Sequence, residues 1–239
     1  MTNTKNEEVL ITGSNRGLGR ALVAEALRRG SRRVWATARS RASLDEVIAL
    51  DRERVIPLPL DVTDAASVEA AARAASSTTL VINNAGVLAS FNVFDSSLEA
   101  MRRDVETNYF GLLNIARSFG PALAKNGGAL ASVLTVASLA SMPALGGYAA
   151  SKAAAFSLTQ ALRGSLKGVR VHAIFPGPVD TDMIKSFDLP KTQPVDVARA
   201  IFEGIAAGEE DIFPDPMAKE VGATFQRDPR ALEKKFAAM

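Results

Sequence analysis

The stretch "GGYAASKAAAFSLTQALRG", residues 146–164, sets Tyr148 and Lys152 four positions apart at the start of an expected helix. Residues i and i+4 share one helix face, so a phenol hydroxyl and an ammonium converge on one small volume. A phenol with an ordinary pKa of about 10 exchanges protons poorly near neutrality. An adjacent cation stabilises its phenolate and moves it toward working pH, which suits general acid–base work. The small residues around the pair, Ala149, Ala150, Ser151, Ala153, Ala154 and Ala155, leave room for a large ligand to approach.

A second candidate lies near the start of the chain, where Gly13, Gly17 and Gly19 follow a β-branched run and precede Leu18, Leu22, Ala26 and Leu27 at helical spacing. Free N–H groups and the dipole of a helix N-terminus favour a phosphate there, and missing side chains permit close approach. The spacing G-x-x-x-G-x-G differs from the dinucleotide fingerprint G-x-G-x-x-G. Taken alone, three glycines in a loop fit a simple turn equally well.

These residues need a framework. "EEVLITG", "RRVWATA", "RVIPLPL", "TLVINNAG", "GALASVLTV" and "GVRVHAIF" read as strands. Between them, "SLDEVIAL", "DAASVEAAARAA", a long pattern over 96–125 and the "YAASK" segment read as helices. Strands that are apolar nearly throughout and alternate with helices predict an α/β fold, a doubly wound parallel sheet with helices on both faces. No linker divides the chain, so one domain is expected over 1–239, with 1–7 a flexible N-terminus. The tail from Asp211 reads as a last edge strand and a peripheral helix. In such a sheet ligands bind at the carboxyl ends of the strands. The candidates fall there in order: Gly13 to Gly19, Arg39, Asp61, Asn83 to Gly86, Thr135 or Ser138, and Pro176 to Thr181.

Composition removes several classes of function. Lys plus Arg number 28 against 26 Asp plus Glu, a net charge of +2 that gives no reason to expect nucleic acid as a partner. The absence of cysteine excludes disulfides, thiolate chemistry and the usual structural zinc ligands, so no metal is expected. His172, the one histidine, sits in the apolar run "VRVHAIF" and reads as a core or strand residue rather than part of a Ser-His-Asp triad. With no signal-peptide order and no run of about 20 apolar residues, the expectation is a soluble, cytoplasmic protein without a membrane partner.

In combination the motifs say more than any of them alone. "TGSNRGLG" (12–19), "LDVTD" (60–64), "NNAG" (83–86), "NYFG" (108–111), "YAASK" (148–152) and "PGPVDT" (176–181) occur in the order and spacing of the shorter branch of the short-chain dehydrogenase/reductase family, which the chain resembles from about residue 8 to 185. The resemblance implies a Rossmann-type sheet, a nicotinamide cofactor and a catalytic group of Asn, Ser, Tyr and Lys. Asn108, Tyr148 and Lys152 match directly. Relatives carry the serine thirteen residues before the tyrosine, where this chain has Thr135; Ser138 lies ten before. A threonine hydroxyl still donates a hydrogen bond, although its methyl stiffens χ1. By the same resemblance Tyr148 exchanges a proton with the substrate oxygen, Lys152 also holds the nicotinamide ribose, and Asn108 carries a water that feeds the lysine.

Cofactor contacts carry over to Gly13, Ser14, Asn15, Arg16, Gly17, Leu18 and Gly19 in the first loop and to Asp61 and Val62 beside the adenine. Asn83, Ala85 and Gly86 would follow along the ribose and pyrophosphate, with Pro176, Gly177, Val179 and Thr181 in the loop at the nicotinamide; Asn83 equally fits a structural role between strands. The second strand ends "WATARS", with Ala38 where NAD-specific relatives carry Asp, then Arg39, and Arg16 adds a second cation. Arginine grips phosphate through paired hydrogen bonds, which predicts NADP(H). The expected substrate is a mostly apolar small-molecule ketone, aldehyde or secondary alcohol, lined by 141–145 and 183–191, and the expected assembly is a homodimer or homotetramer. The alternatives are a catalytically weak nucleotide-binding regulator or scaffold, supported only by the threonine, and a sugar-nucleotide epimerase or dehydratase, which normally has a larger substrate region.

Overall fold

The computed structural model describes residues 7–239. Seven strands form one sheet: β1 (Glu8–Ile11), β2 (Arg33–Ala38), β3 (Val55–Pro59), β4 (Leu80–Asn83), β5 (Ala129–Val133), β6 (Arg170–Ile174) and β7 (Asp211–Ile212). Every pairing is parallel and the order is β3-β2-β1-β4-β5-β6-β7. The chain winds outward from β1 in one direction and from β4 in the other, so the carboxyl ends of these two strands flank the switch point.

Side chains alternate across a strand, and both faces are covered. From β1, Val9 and Ile11 enter one core with Leu22 of α1 (Gly17–Arg28) and Phe202 of α7 (Pro194–Ala207). Leu10 enters the other, with Val68 of α3 (Ala65–Ala74), Phe119 of α5 (Gly111–Lys125) and Leu162 of α6 (Gly146–Ser165). Fully burying one such side chain stabilises by about 1.5–3 kcal/mol, which explains why the strands are apolar at most positions. Leu112, Ala116 and Phe119 of α5 are spent on this core, whereas Phe110 just before it is exposed.

Several elements differ from expectation. "SLDEVIAL" forms only a 3-10 turn at Arg41–Leu44 and the single turn α2 (Asp45–Ile48). The long helix is α4 (Leu98–Val105), a π-helical turn at Glu106–Phe110, and α5. In the π turn the Gly111 N–H reaches back to the Glu106 carbonyl, an i to i+5 bond. Such turns are rare and concentrate at functional sites; this one carries Asn108. α7 has no counterpart among the sequence expectations. The tail contains two helices, α8 (Pro216–Arg227) and α9 (Pro229–Ala237), rather than one. They are not peripheral decoration: Val221, Leu232 and Phe236 close a third core over Val136, Leu139 and Met142 in the segment after β5. Residues 1–6 of the expected flexible N-terminus lie outside the described residues; Glu7 is engaged, its carbonyl accepting the Arg32 N–H at 2.9 Å.

Candidate active site

At the switch point the loops leaving β1, β4 and β6 touch one another where they lack side chains. A Cβ on Gly19 would lie 2.0 Å from the Gly13 carbonyl oxygen, and one on Gly13 would lie 3.1 Å from the Ala85 Cα. Gly17 abuts the Thr181 methyl at 3.1 Å by the same measure. Gly13 and Gly17 also hold φ of +66° and +52°, a region other residues enter only with strain. The N-cap of α1, Arg16, makes no side-chain capping bond, and the first turn carries no acid. A dinucleotide's pyrophosphate fits such a cradle, because the free N–H groups point at it and nothing competes with it.

Other predicted contacts have duties within the protein. Ser14 is fully buried, its hydroxyl donating to the Ile11 carbonyl at 2.6 Å and accepting from the Thr37 N–H at 3.1 Å. The Leu18 and Val179 side chains belong to the core. Asn83 is buried and accepts a 3.3 Å hydrogen bond from the Thr12 hydroxyl, which is the structural role. Val62 is pressed against Gly111, and its carbonyl accepts from the Asn114 amide at 3.0 Å. Asp61 uses Oδ1 to accept from the Thr63 N–H and hydroxyl at 3.0 and 2.8 Å.

Two residues hold the loops together: Thr12, outside the predicted set, and Asn84, inside the Asn83 to Gly86 stretch but without an expected contact of its own. The Thr12 hydroxyl accepts the N–H groups of Asn84 and Ala85 at 2.9 and 2.8 Å, and the Asn84 amide donates to the Thr12 and Gly13 carbonyls at 2.9 and 3.1 Å. The flanking letters of "TGSN" and "NNAG" carried this signal, a hydroxyl and an amide at the ends of adjacent strands.

Asn108 and Lys152 converge around Gly86, where an added Cβ would lie 3.0 Å from Asn108 Oδ1 and 3.2 Å from Lys152 Nζ, and Tyr148 lies one helical turn before the lysine in α6. Lys152 Nζ donates to the Val133 carbonyl at 2.9 Å. The Asn108 amide is fully engaged with protein: Oδ1 accepts from the Val87 N–H at 3.0 Å, and Nδ2 donates to the Val87 carbonyl and Ser151 Oγ, each at 2.9 Å. Ser151 in turn donates to the Tyr148 carbonyl at 2.7 Å. Ser151, read from sequence only as a small residue, thus joins the π turn to α6. The alanines do not share one open face: Ala149 and Ala155 are buried, whereas Ala150 and Ala153 face outward.

Burial dominates the electrostatics. It raises Tyr148 above the ordinary phenol value, and the charge of Asp104 adds to the rise. It pulls Lys152 down to about 8, an effect that Asp104 partly offsets. The expected lowering of the tyrosine by its lysine is therefore outweighed in the protein alone, because desolvation penalises both charged forms.

Thr135 is half-buried and accepts the Ala137 N–H at 3.3 Å, while Ser138 Oγ is folded back onto the Thr135 N–H at 3.2 Å. Ser138 lines a cavity of about 260 Å³ with Ala149, Ala150 and Ala153, and neither Tyr148 nor Lys152 borders it. Arg39, at the carboxyl end of β2, is exposed and has no ion pair with any described residue. Arg16 lies 3.5 Å from Asp182, both about 70% exposed. Apolar side chains occur in the segments after β4 and after Thr181: the Phe91 and Phe187 rings stack with centroids 6.2 Å apart, and Val93, Phe94 and Met183 stand exposed. Among the described residues there is no cluster of potential metal ligands, and no helix is long and apolar enough to cross a membrane.

A doubly wound parallel sheet with a glycine cradle at its first strand–helix turn defines the dinucleotide-binding class of α/β folds. The sequence profile of the short chain dehydrogenase family matches residues 7–191, and the chain belongs to that family. The probable oxidoreductase EphD of Mycobacterium bovis is 31% identical over 202 residues, 77% of this chain; the match spans only 33% of that longer relative. A short chain dehydrogenase from Burkholderia cenocepacia, solved in complex with NADP, superposes with a TM-score of 0.92 at 35% identity, covering 98% of this chain and 99% of its own. A second relative from Burkholderia phymatum, in complex with NAD, has a TM-score of 0.86 at 25% identity, with 98% and 97% covered.

Proposed function

We propose that the protein is a single-domain NADP(H)-dependent oxidoreductase that interconverts an apolar ketone or aldehyde and the corresponding alcohol. The observation that carries the reading is the convergence of Asn108, Lys152 and Gly86, one helical turn from Tyr148, beside a loop with room for a pyrophosphate. A bound nicotinamide supplies or takes up the hydride. The chain's own residues handle the proton. Tyr148, whose burial keeps the phenol protonated, donates from its hydroxyl to the substrate oxygen in reduction and accepts in oxidation. Thr135 donates a hydrogen bond to the same oxygen. The Lys152 ammonium stabilises the phenolate left behind, and Asn108, bonded to both Val87 and Ser151, fixes α6 against the loop after β4.

Arg39, unpaired among the described residues, favours the 2′-phosphate of NADP(H), in keeping with the cofactor of the Burkholderia cenocepacia relative; the second relative, solved with NAD, makes this a quantity to measure. The apolar side chains of Phe91, Val93, Phe94, Met183 and Phe187 favour an apolar substrate body. The test is the change in nicotinamide absorbance with NADPH and NADH in parallel against aliphatic, aromatic and cyclic carbonyl compounds. Turnover with NADPH well above NADH is expected. Tyr148→Phe is expected to lower kcat by about 10²-fold or more, and retention within tenfold would overturn the assignment of the proton to Tyr148. Saturable NADPH binding without turnover on the panel would favour a regulator or scaffold.

A further inference from the structure

Asp104 is fully buried in α4, one turn before Asn108. Its carboxylate accepts the Ala89 N–H at 2.8 Å, the Ser90 N–H at 2.9 Å and the Ser90 hydroxyl. A buried carboxylate ordinarily has a cation in contact, yet Asp104 forms no ion pair with any described residue. The elements around it narrow the choice of counter-charge. On its own helix Arg102 and Arg103 point to solvent, as do Glu99 and Glu106. The loop after β4 contributes only Asp95, also exposed. From α6 the titratable groups that feel its charge are Tyr148 and Lys152, both buried. Contact is close as well: a Cβ on Gly147, the residue before Tyr148, would lie 2.3 Å from Ser90 Oγ, the hydroxyl that Asp104 holds.

We propose that Asp104 is the fixed counter-charge of the Tyr148–Lys152 pair, a positioning residue that keeps the lysine an ammonium and the tyrosine a phenol without touching substrate. In a low-dielectric interior a charge acts over more than contact distance. Burial alone drives the lysine toward its neutral amine, and the Asp104 carboxylate opposes that loss; the same charge discourages a phenolate. Asp104 therefore biases the pair toward the proton-donating form, the state that carbonyl reduction requires. This inference rests on the proposed role of Tyr148, although its primary readout does not.

The primary experiment is an NMR pH titration of the Lys152 ¹³Cε resonance, assigned by its absence in Lys152→Met, in the wild type, Asp104→Asn and Ser90→Ala. Removing the negative charge is expected to lower the Lys152 midpoint by about one pH unit in Asp104→Asn. Ser90→Ala loses the hydroxyl contact but keeps the charge, so its midpoint is expected to stay with the wild type. In parallel, the acid limb of kcat/KM for alcohol oxidation is expected to move to lower pH by a similar amount in Asp104→Asn only. An unmoved Lys152 midpoint in Asp104→Asn, or an equal shift in Ser90→Ala, would overturn the proposal in favour of a purely structural carboxylate. Asp104→Ser replaces the Asn variant if thermal melts show that it does not fold. A shifted midpoint together with a fully active Tyr148→Phe would uphold the charge relationship while overturning the proposed proton donor.

Discussion

The buried carboxylate of Asp215 accepts the Gly177 N–H at 2.7 Å and the Ala218 N–H at 2.9 Å, so one side chain ties the loop leaving β6 to the N-terminus of α8. The fit is tight, because a Cβ on Gly177 would lie 2.8 Å from Asp215 Oδ1. The helices over the segment after β5 and the loop containing Thr181 are thus fastened at a single point.

Asp215→Ala removes a helix cap, worth about 1 kcal/mol, and leaves a backbone donor unpaired, at a cost of about 1–3 kcal/mol. Urea denaturation should show a loss of about 2–4 kcal/mol, and Asp215→Asn, which keeps one acceptor, should lose less. A loss below about 0.5 kcal/mol would mean that water replaces the carboxylate without penalty.

Gly19→Ala tests the cradle. Its methyl meets the Gly13 carbonyl, a backbone atom with no flexible end to move, so the loop must open. Calorimetry should show NADPH binding weakened about tenfold or more, equivalent to about 1.4 kcal/mol. Unchanged affinity would show that the close approach of the two glycines does not shape the phosphate site.

Arg39 and Arg16 are not equivalent cations. Arg16 is partly occupied by Asp182, whereas Arg39 is free among the described residues. A hydrogen bond to a charged group contributes about 1.5–3 kcal/mol, so Arg39→Ala should raise KM for NADPH about tenfold or more and leave NADH nearly unaffected. Arg16→Ala should do less. If the NADPH/NADH ratio of kcat/KM moves under threefold in Arg39→Ala, the 2′-phosphate is held elsewhere.

What the sequence made legible follows a physical division. Periodicity and apolar strands carry the sheet, and residues at strand ends carry the site, because both signals are local. The side-chain duties of Ser14 and Asn83 depend on which strands become neighbours, and only the β2-β1-β4 order reveals that Ser14 bonds to Thr37 and Asn83 to Thr12. The π turn leaves no periodic trace, since one wider turn merely shifts the phase of an apolar pattern. The two C-terminal helices were legible in principle: Asp215-Pro216 and Asp228-Pro229 are each an N-cap followed by proline at the first helical position. Asp104 gave no signal, because a carboxylate on an amphipathic helix ordinarily faces water.

His172 makes the last prediction, and its sign follows from burial. Nδ1 lies 2.6 Å from the Glu209 carbonyl, which accepts its proton, so the neutral ring leaves Nε2 bare in the interior without a partner. Protonation would put an unsatisfied N–H and a charge there. Burial accordingly lowers the His172 pKa from the ordinary 6.5. The unfolded chain then binds more protons than the folded one as pH falls below about 6.5, and stability declines with it. Above that value the histidine is neutral in both states and contributes no slope. Acid loss from carboxylates enters lower: burial raises Glu8 and Glu25, but their hydrogen bonds and arginine neighbours overcome it and hold both below the ordinary 4.5. Their stabilisation is present above about 4.5 and lost as pH falls further. Lys152, pulled down to about 8, and Glu7, raised by burial above the ordinary 4.5, also titrate near this range, but they are common to both proteins, so the histidine step is the difference between wild type and His172→Gln from about pH 7.5 to pH 5.5. Across that window the Tm of the wild type should fall further than that of His172→Gln, which has no titrating ring. Parallel declines in the two proteins would assign the step to another group.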